Sequence, residues 1–420
     1  MLSTAVMLLT AGSAASGQNF SQKQIKLSVS MNEAQAMALT QNRDVIRASL
    51  EVRKTEANLK AILTTRYPKL LALTFTGQSV TYPEVVNTVV LPAVFQPITQ
   101  QYRLDLQVRE ATLTMQVAKQ RLRLTKQHTV AEVKKAYLSM LALQSAITSL
   151  EKNLFFLDEL RRYVECETKK GSALPVDLLL VQARVAHADF ELARAKDDLN
   201  TMEQSLNRQL DRPLQTELIL TEEPTAPFIE MNEQATIAEA LAKRPELSEV
   251  KLDVHRANLL SKIQLSGYIP DISFGALGTF SHYFSPTFPR TFTSLGFLGV
   301  WEPWDWGRRI ELSKEASREM RQAKVQLLDL TDAVSISADK ARRAMKVAEK
   351  EVRAGVLAEA STQEQLRVVH RRYQVGAALV KDVLEAEAAY TLAIAENVKA
   401  KTDAASARVG LDEALGRDFE

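Results

Sequence analysis

The sequence predicts a mainly α-helical fold with a smaller β part, in which one helix–strand–strand–helix–helix unit occurs twice. Three observations carry this. From Ile98 to Lys170 there is no Gly or Pro, and the run is rich in Ala, Leu, Lys, Arg, Glu and Gln, a composition that favours one continuous helix. Short stretches on either side of turns switch the hydrophobic period from 3.6 to 2, as strands do. The landmarks also recur: Ala38-Leu39 and Pro68 return 202 positions on as Ala240-Leu241 and Pro270, and Gly171, Asp177 and Leu206 return 205 positions on as Gly376, Asp382 and Leu411. Offsets that hold at both ends of a long unit are the mark of duplication.

At the N-terminus, Met1 to Gly17 reads as an export signal, with Leu2, Ala5, Val6, Met7, Leu8 and Leu9 followed by small residues. Its basic start is missing, since the first positive charge is Lys23. The first repeat spans 31–210. A short helix starts at Met31, and Asn42 is placed to cap a second helix running to Arg66. Tyr67-Pro68 ends that helix, and strands follow at about 69–78 and 88–97, the second interrupted by Pro92. The long helix runs to Gly171, and Pro175 opens the next helix, which reaches about Leu210. A linker at 211–232 with Pro213, Pro224 and Pro227 joins the copies. The second repeat, 233–416, has its helix opening at Arg244-Pro-Glu-Leu247, strands at about 271–281 and 292–301, a helix from Arg308 to about Val375 interrupted only by Gly355, and a last helix after Gly376.

At 1.5 Å per residue the long helix measures on the order of 100 Å. It must pair along its length, and Leu143, Ile147, Leu150, Leu154 and Leu157 at 4-3-4-3 spacing form a coiled-coil seam for that. The helices at about 44–66 and 175–210 together nearly match it, so they can stack end to end against it.

Composition excludes several classes. Lys+Arg number 53 against 51 Asp+Glu, so no field of one sign points to nucleic acid. The lone cysteine, Cys166, makes no internal disulfide and fits as a small apolar residue near a helix end. The five histidines, His128, His187, His255, His282 and His370, show no ligand spacing. There is no phosphate loop, nucleophile elbow or convergent His/Cys/acid set, so neither an enzyme nor a metal or cofactor is expected.

The strands admit two readings. Their lengths suit a tilted crossing of a bilayer, and one face of each is Leu/Phe/Val (Leu71, Leu73, Phe75, Val89, Leu91, Ala93, Phe95; then Ile272, Phe274, Ala276, Phe280, Leu295, Phe297) against Thr/Ser/Gly/Gln on the other. Those apolar faces would meet lipid and the polar ones a lumen. Tyr82, Tyr102, Tyr283, Trp301, Trp304 and Trp306 lie near strand ends, as interfacial aromatics do. The other reading is a small soluble sheet capping a coiled coil. Four strands cannot close a barrel alone, so a membrane reading requires several chains.

The helix openings Asn42-Arg-Asp-Val45 and Arg244-Pro-Glu-Leu247, the helix ends Tyr67-Pro68 and Tyr268-Ile-Pro270, Pro303-Trp-Asp-Trp-Gly-Arg-Arg309, and Arg372-Tyr-Gln-Val-Gly376 with Asp382-Val-Leu384 together resemble the TolC-like outer-membrane efflux proteins. The resemblance implies a homotrimer whose 12-stranded barrel stands in the outer membrane of a Gram-negative bacterium and continues as an α-helical barrel through the periplasm. It implies as partners a periplasmic adaptor, an inner-membrane pump of the RND or ABC type and outer-membrane lipid. The protein would be a passive exit duct for drugs, metals or other toxic small molecules, with specificity residing in the pump.

Carried onto this chain, the resemblance makes Gly171, Ser172, Ala173 and Leu174, with Gly376, Ala377, Ala378 and Leu379, the periplasmic tip that meets the adaptor. The glycines equally suit helix termination in the left-handed region. Asp177, Tyr373 and Asp382 match positions that hold the tip closed, and Glu385 lies one turn after Asp382. Three copies of Asp382 and Glu385 would form acidic rings; alternatively these are ordinary carboxylates at a helix N-terminus. Ala377 and Ala378 depart from the family, in which a basic residue often follows the second glycine. The competing class is a periplasmic coiled-coil adaptor or scaffold, which accounts for the helices but not for duplicated strand pairs.

Overall fold

The computed structural model describes residues 26–78, 86–220, 231–282 and 291–418; the predicted export segment, Tyr82, Tyr283 and the linker stretch 221–230 lie outside them. The element order shows the duplication directly. In the first copy α1 (Met31–Gln41), α2 (Arg43–Thr64), β2 (Lys69–Gln78), β3 (Val86–Pro97), α3 (Gln100–Lys169) and α4 (Pro175–Gln209) follow one another. In the second the order is α5 (Glu233–Lys243), α6 (Pro245–Ser266), β5 (Asp271–His282), β6 (Thr291–Val300), α7 (Arg308–Gln374) and α8 (Val380–Ala414). Corresponding short helices have equal lengths: 11 residues for α1 and α5, 22 for α2 and α6, 35 for α4 and α8.

Packing puts the helices in four columns. The long α3 lies against α2 and α4 on one side and α6 and α8 on the other, and α7 closes the far side of α6 and α8. Within a column the short helices meet end to end. Asn42, at the α2 N-cap with φ −61° and ψ 132°, accepts from the Asp44 N–H and donates through its amide to the Gln209 carbonyl at the end of α4, 2.9 Å away. Arg43 adds an ion pair to Asp211 at 2.7 Å. Arg244 holds the matching backbone, φ −65° and ψ 127°, at the start of α6. About two-thirds of the way along α7, Gly355 permits close helix contact: a Cβ there would stand 3.1 Å from the Asn397 Cα of α8.

The middle of the molecule holds two related cores. In the first copy Val29, Ala34, Ala38, Val133, Tyr137, Met140, Leu206, Leu210 and Leu218 are buried together; in the second, Ala240, Leu247, Val334, Ala338, Leu411 and Leu415. The first core is covered by two strands that sequence periodicity does not reveal, β1 (Lys26–Val29) and β4 (Glu217–Leu220), paired in parallel. The linker segment that joins the copies carries one of these strands; four residues are too few to show a period.

At this level Glu239 of α5 takes hydrogen bonds from Arg417 through Nε (2.9 Å) and Nη2 (3.0 Å), with Lys243 at 2.9 Å. Arg417 first, then Lys243, hold its carboxyl at about 2, below the ordinary 4.5. A depressed folded value stabilises the fold above pH 4.5 and loses that contribution as pH falls toward 2. Glu239→Gln is expected to flatten the acid limb of a thermal-stability profile between those pH values, with little change in its slope at neutral pH.

The four remaining strands form one antiparallel sheet in the order β2-β3-β5-β6. Its register corrects the sequence reading of the faces. Leu71 pairs with Ala93 and Ala93 with Leu277, while Val94 pairs with Ala276 and Ala276 with Leu295. Directly opposed residues share a face, so Leu71, Leu91, Ala93 and Phe95 lie on the face opposite to Phe274, Ala276, Leu295 and Phe297. The two apolar stripes expected to form one lipid face stand on opposite sides of the sheet. Pro92 leaves a gap in the β3–β5 ladder, and Gly278 faces it: a Cβ there would meet Pro92 Cγ at 3.3 Å.

Candidate functional site

Both long helices end, at the extremity remote from the sheet, in the same turn. Gly171 (φ +82°) and Gly376 (φ +75°) take the left-handed conformation that stops a helix and that L side chains rarely adopt. Ser172 N–H donates to the Glu167 carbonyl (2.9 Å) and Ala377 N–H to the Arg372 carbonyl (2.8 Å), while the glycine N–H groups reach Thr168 and Tyr373 (both 3.0 Å). These bonds satisfy the last carbonyls of α3 and α7, as in a Schellman turn. The following helices open alike: Leu174 N–H donates to Asp177 Oδ2 (3.3 Å) and Leu379 N–H to Asp382 Oδ2 (2.9 Å).

The structure brings the predicted tip residues to one end of the molecule. Gly171, Ser172, Leu174, Gly376, Ala377 and Leu379 are exposed, and Ala173 and Ala378 half-buried. The apolar side chains among them face outward, Leu174 at 64 % and Leu379 at 69 % exposure, with Val176 and Val375 beside them. Asp177 and Asp382 act as helix caps in this chain, at the positive end of the helix dipole. Exposed Glu385 lies 3.5 Å from Lys381.

Tyr373 is half-buried, and its ring meets that of Tyr163 edge-on at 5.8 Å between centroids. Burial, then the neighbouring Tyr163, Asp177 and Glu167, raise its phenol above the ordinary value. Between the hairpins the join is apolar: Leu160, Val164, Val181, Val380 and Val383, one or two from each of α3, α4 and α8, are sealed together and Val369 and Tyr373 of α7 pack on them.

One acidic group here escaped sequence reasoning. Glu387 of α8 is 3 % exposed; Thr391 Oγ1 donates to its Oε1 at 2.8 Å, and Arg184 Nε of α4 stands 3.9 Å from its Oε2. Burial raises its carboxyl above the ordinary range, against the smaller lowering by Thr391 and Arg184. Two turns along from Val380, it has the spacing of a core position, and only its chemistry sets it apart.

Among the described residues no group of His, Cys, Asp and Glu could hold a metal ion, and no helix is long and apolar enough to cross a membrane. The four-stranded sheet, by contrast, has two unpaired edges and continues into a layer of helices four columns wide that ends in paired hairpins. That is the architecture of a channel protein made of a β-barrel and a helical barrel. The chain belongs to the family described as Outer membrane efflux protein, which matches residues 35–210 and 236–417. Membership places the sheet in the outer membrane and the helices in the periplasm.

Solved structures agree. The chain is similar to the outer membrane protein VceC of Vibrio cholerae (15% identity, TM-score 0.80, covering 93% of this chain and 97% of that one). It is similar to the CmeC outer membrane channel of Campylobacter jejuni (15%, 0.81, 92% and 85%) and to the open state of the Neisseria gonorrhoeae MtrE outer membrane channel (16%, 0.77, 92% and 89%). No curated protein sequence matches the chain. Family and fold are those of channels rather than enzymes, and the strand pairs and the matches leave no place for the adaptor or scaffold alternative.

Proposed function

We propose that three copies of this chain close into one duct that passes small toxic solutes out of the cell, fed by a periplasmic adaptor and an inner-membrane pump of the RND or ABC type. The observation that carries it is that the two edges of the chain match at both levels. The sheet ends in β2 on one side and β6 on the other, and the helix layer ends in α2 and α4 on the β2 side and α7 on the β6 side. Up-and-down order makes β6 of one copy antiparallel to β2 of the next, which suits head-to-tail ring closure. Along the open side of α7, Val325, Leu328, Ile336, Val347 and Leu357, between 54% and 71% exposed, fall within about a 100° sector at helical spacing. Ile46, Leu50 and Phe190 are exposed on the other edge.

The exposed area agrees: 27367 Å², where a compact monomer of 46.8 kDa would show about 16,000 Å². An extended copy with an open sheet and an open helix layer has such an excess, and outer-membrane lipid and neighbouring copies cover part of it. The tip turns, with Leu174 and Leu379 outward, are the adaptor contact.

Cell fractionation tests the duct: the protein sediments with outer membranes and, extracted in detergent, runs as a trimer with β signal in circular dichroism. A soluble, all-helical monomer overturns it. At the tip, three copies of Asp382 and Glu385 supply the negative charge that draws multivalent cations. Replacing both by Ala is expected to weaken block of planar-bilayer conductance by such cations by roughly tenfold, and unchanged block removes the acidic ring.

A further inference from the structure

The sheet register assigns an apolar lining to the inside of the barrel, and we infer that this wall offers amphiphilic, lipophilic solutes a gliding surface on the way out; the inference rests on the trimeric duct. The two faces of the sheet differ in charge and in crowding. One face carries no Asp, Glu, Lys or Arg in any of the four strands. Its large apolar side chains stand open, from Val94 at 39 % and Phe274 at 43 % to Phe297 at 73 % and Leu70 at 83 %. The other face carries Lys69 and Asp271, the latter ion-paired to Arg103 at 2.5 Å, together with Ser273, Thr279 and Ser294.

In the central strands β3 and β5, crowding identifies that second face as the concave one, while toward the edges Leu71 (46 %) and Leu298 (48 %) on the same face stand exposed. Ala93 is 3 % exposed and Gly275 buried, whereas Val94 and Phe274, their neighbours on the open face, are exposed. The Phe95 ring lies across Gly275, where a Cβ would come within 2.3 Å of Phe95 Cδ1 and of the Val94 carbonyl oxygen. A glycine in a central strand that seats an aromatic ring flat against the wall is a built feature. In a closed barrel the concave, charge-bearing face is the lumen and the uncharged open face meets lipid.

Leu71, Leu91, Ala93 and Phe95 of the first hairpin therefore face the lumen, with Leu277 continuing the patch onto β5. Three copies give three apolar stripes running along the exit path, parted by Ser273, Thr279 and Ser294, while Phe292 and Leu298 of β6, paired with Thr279 and Ser273, add apolar side chains to the same face. Conduction favours sites that hold a solute weakly and repeatedly. An apolar stripe in water does so for a molecule with a lipophilic face, through the contact area it removes from water, and does nothing for a small hydrated ion.

The test uses the full-length protein with Cys166→Ser, in outer membranes, carrying Leu91→Cys or Val94→Cys. A charged, membrane-impermeant methanethiosulfonate is expected to modify the cysteine of Leu91→Cys roughly tenfold faster than that of Val94→Cys, and a lipid-dissolved maleimide to show the opposite order, since only the former position faces water. Equal rates, or the reverse order, in a detergent-stable trimer overturn the lining. Loss of the trimer and of membrane association instead overturns the duct itself, so the two failures are distinct. In planar bilayers, Leu71→Thr with Phe95→Thr is expected to shorten current blocks by the amphiphilic dye rhodamine 6G about fivefold while potassium conductance is kept. Unchanged block duration with intact conductance overturns the role of the stripe.

Discussion

Replacing Gly171 or Gly376 by Trp is expected to abolish efflux while the protein still assembles in the outer membrane. Both glycines sit at positive φ, +82° and +75°, and neither has any atom within 4 Å of the place a Cβ would take. A Cβ there meets no neighbour within its own chain, so the first folding penalty is that of the left-handed backbone, about 1–2 kcal/mol per site. That is small beside the cores of the helix layer and leaves the sheet untouched. The indole would project instead from the outermost point of the hairpin, between the exposed Leu174 or Leu379 and whatever docks on the tip. On the proposed adaptor contact, where backbones approach closely, a group of that size is not tolerated. Gly171→Ala separates the effects, because it carries the backbone strain without the bulk, and it is expected to retain most efflux. Drug susceptibility of cells relying on the variant, read beside the trimer band of unheated gels, gives both answers. Loss of the trimer in the Trp variants would assign the glycines to folding rather than docking.

The duplicated helices were legible because Gly and Pro punctuate them. Pro68 and Pro270 end helices, Gly171 and Gly376 turn them, and nothing between Ile98 and Lys170 interrupts one. The Asn42 cap was legible too, since its side-chain chemistry acts on a neighbour two residues away. What depends on distant pairing was not. Alternation separates two faces of a strand but does not say which face joins which across β3 and β5, and a shift by one residue exchanges them. Periodicity alone therefore groups Leu71 and Phe95 with Phe274 and Phe297, and only the pairing of Ala93 with Leu277 parts them. The strands β1 and β4 escaped for want of length. At the tip, the cap roles of Asp177 and Asp382 are local and could be read, whereas burial of Glu387 follows from three helices converging on it.

Truncating Tyr137 to Ala is expected to cost the most stability of any single change in the helical part. Its side chain is 0 % exposed. It fills the space between α1, α3, α4 and the β1–β4 pair, beside Val133, Met140, Leu206, Leu210 and Leu218. Its hydroxyl donates to the Val29 carbonyl at 3.1 Å, tying α3 to the short strand that closes the core. Removing a buried aromatic ring leaves a cavity that rigid surrounding helices fill poorly, at about 3–5 kcal/mol. Tyr137→Phe keeps the ring and loses only the hydrogen bond, about 1 kcal/mol. The two variants therefore order the contributions: thermal dissociation of the detergent-extracted trimer should fall slightly for Phe and strongly for Ala. If both fall equally, the bond to Val29 rather than the ring holds the core. The effect reaches the duct because α2 rests on the end of α4 through Asn42 and Gln209, directly beyond this core. A loosened core thus frees the column that carries β2, the strand each copy offers to its neighbour.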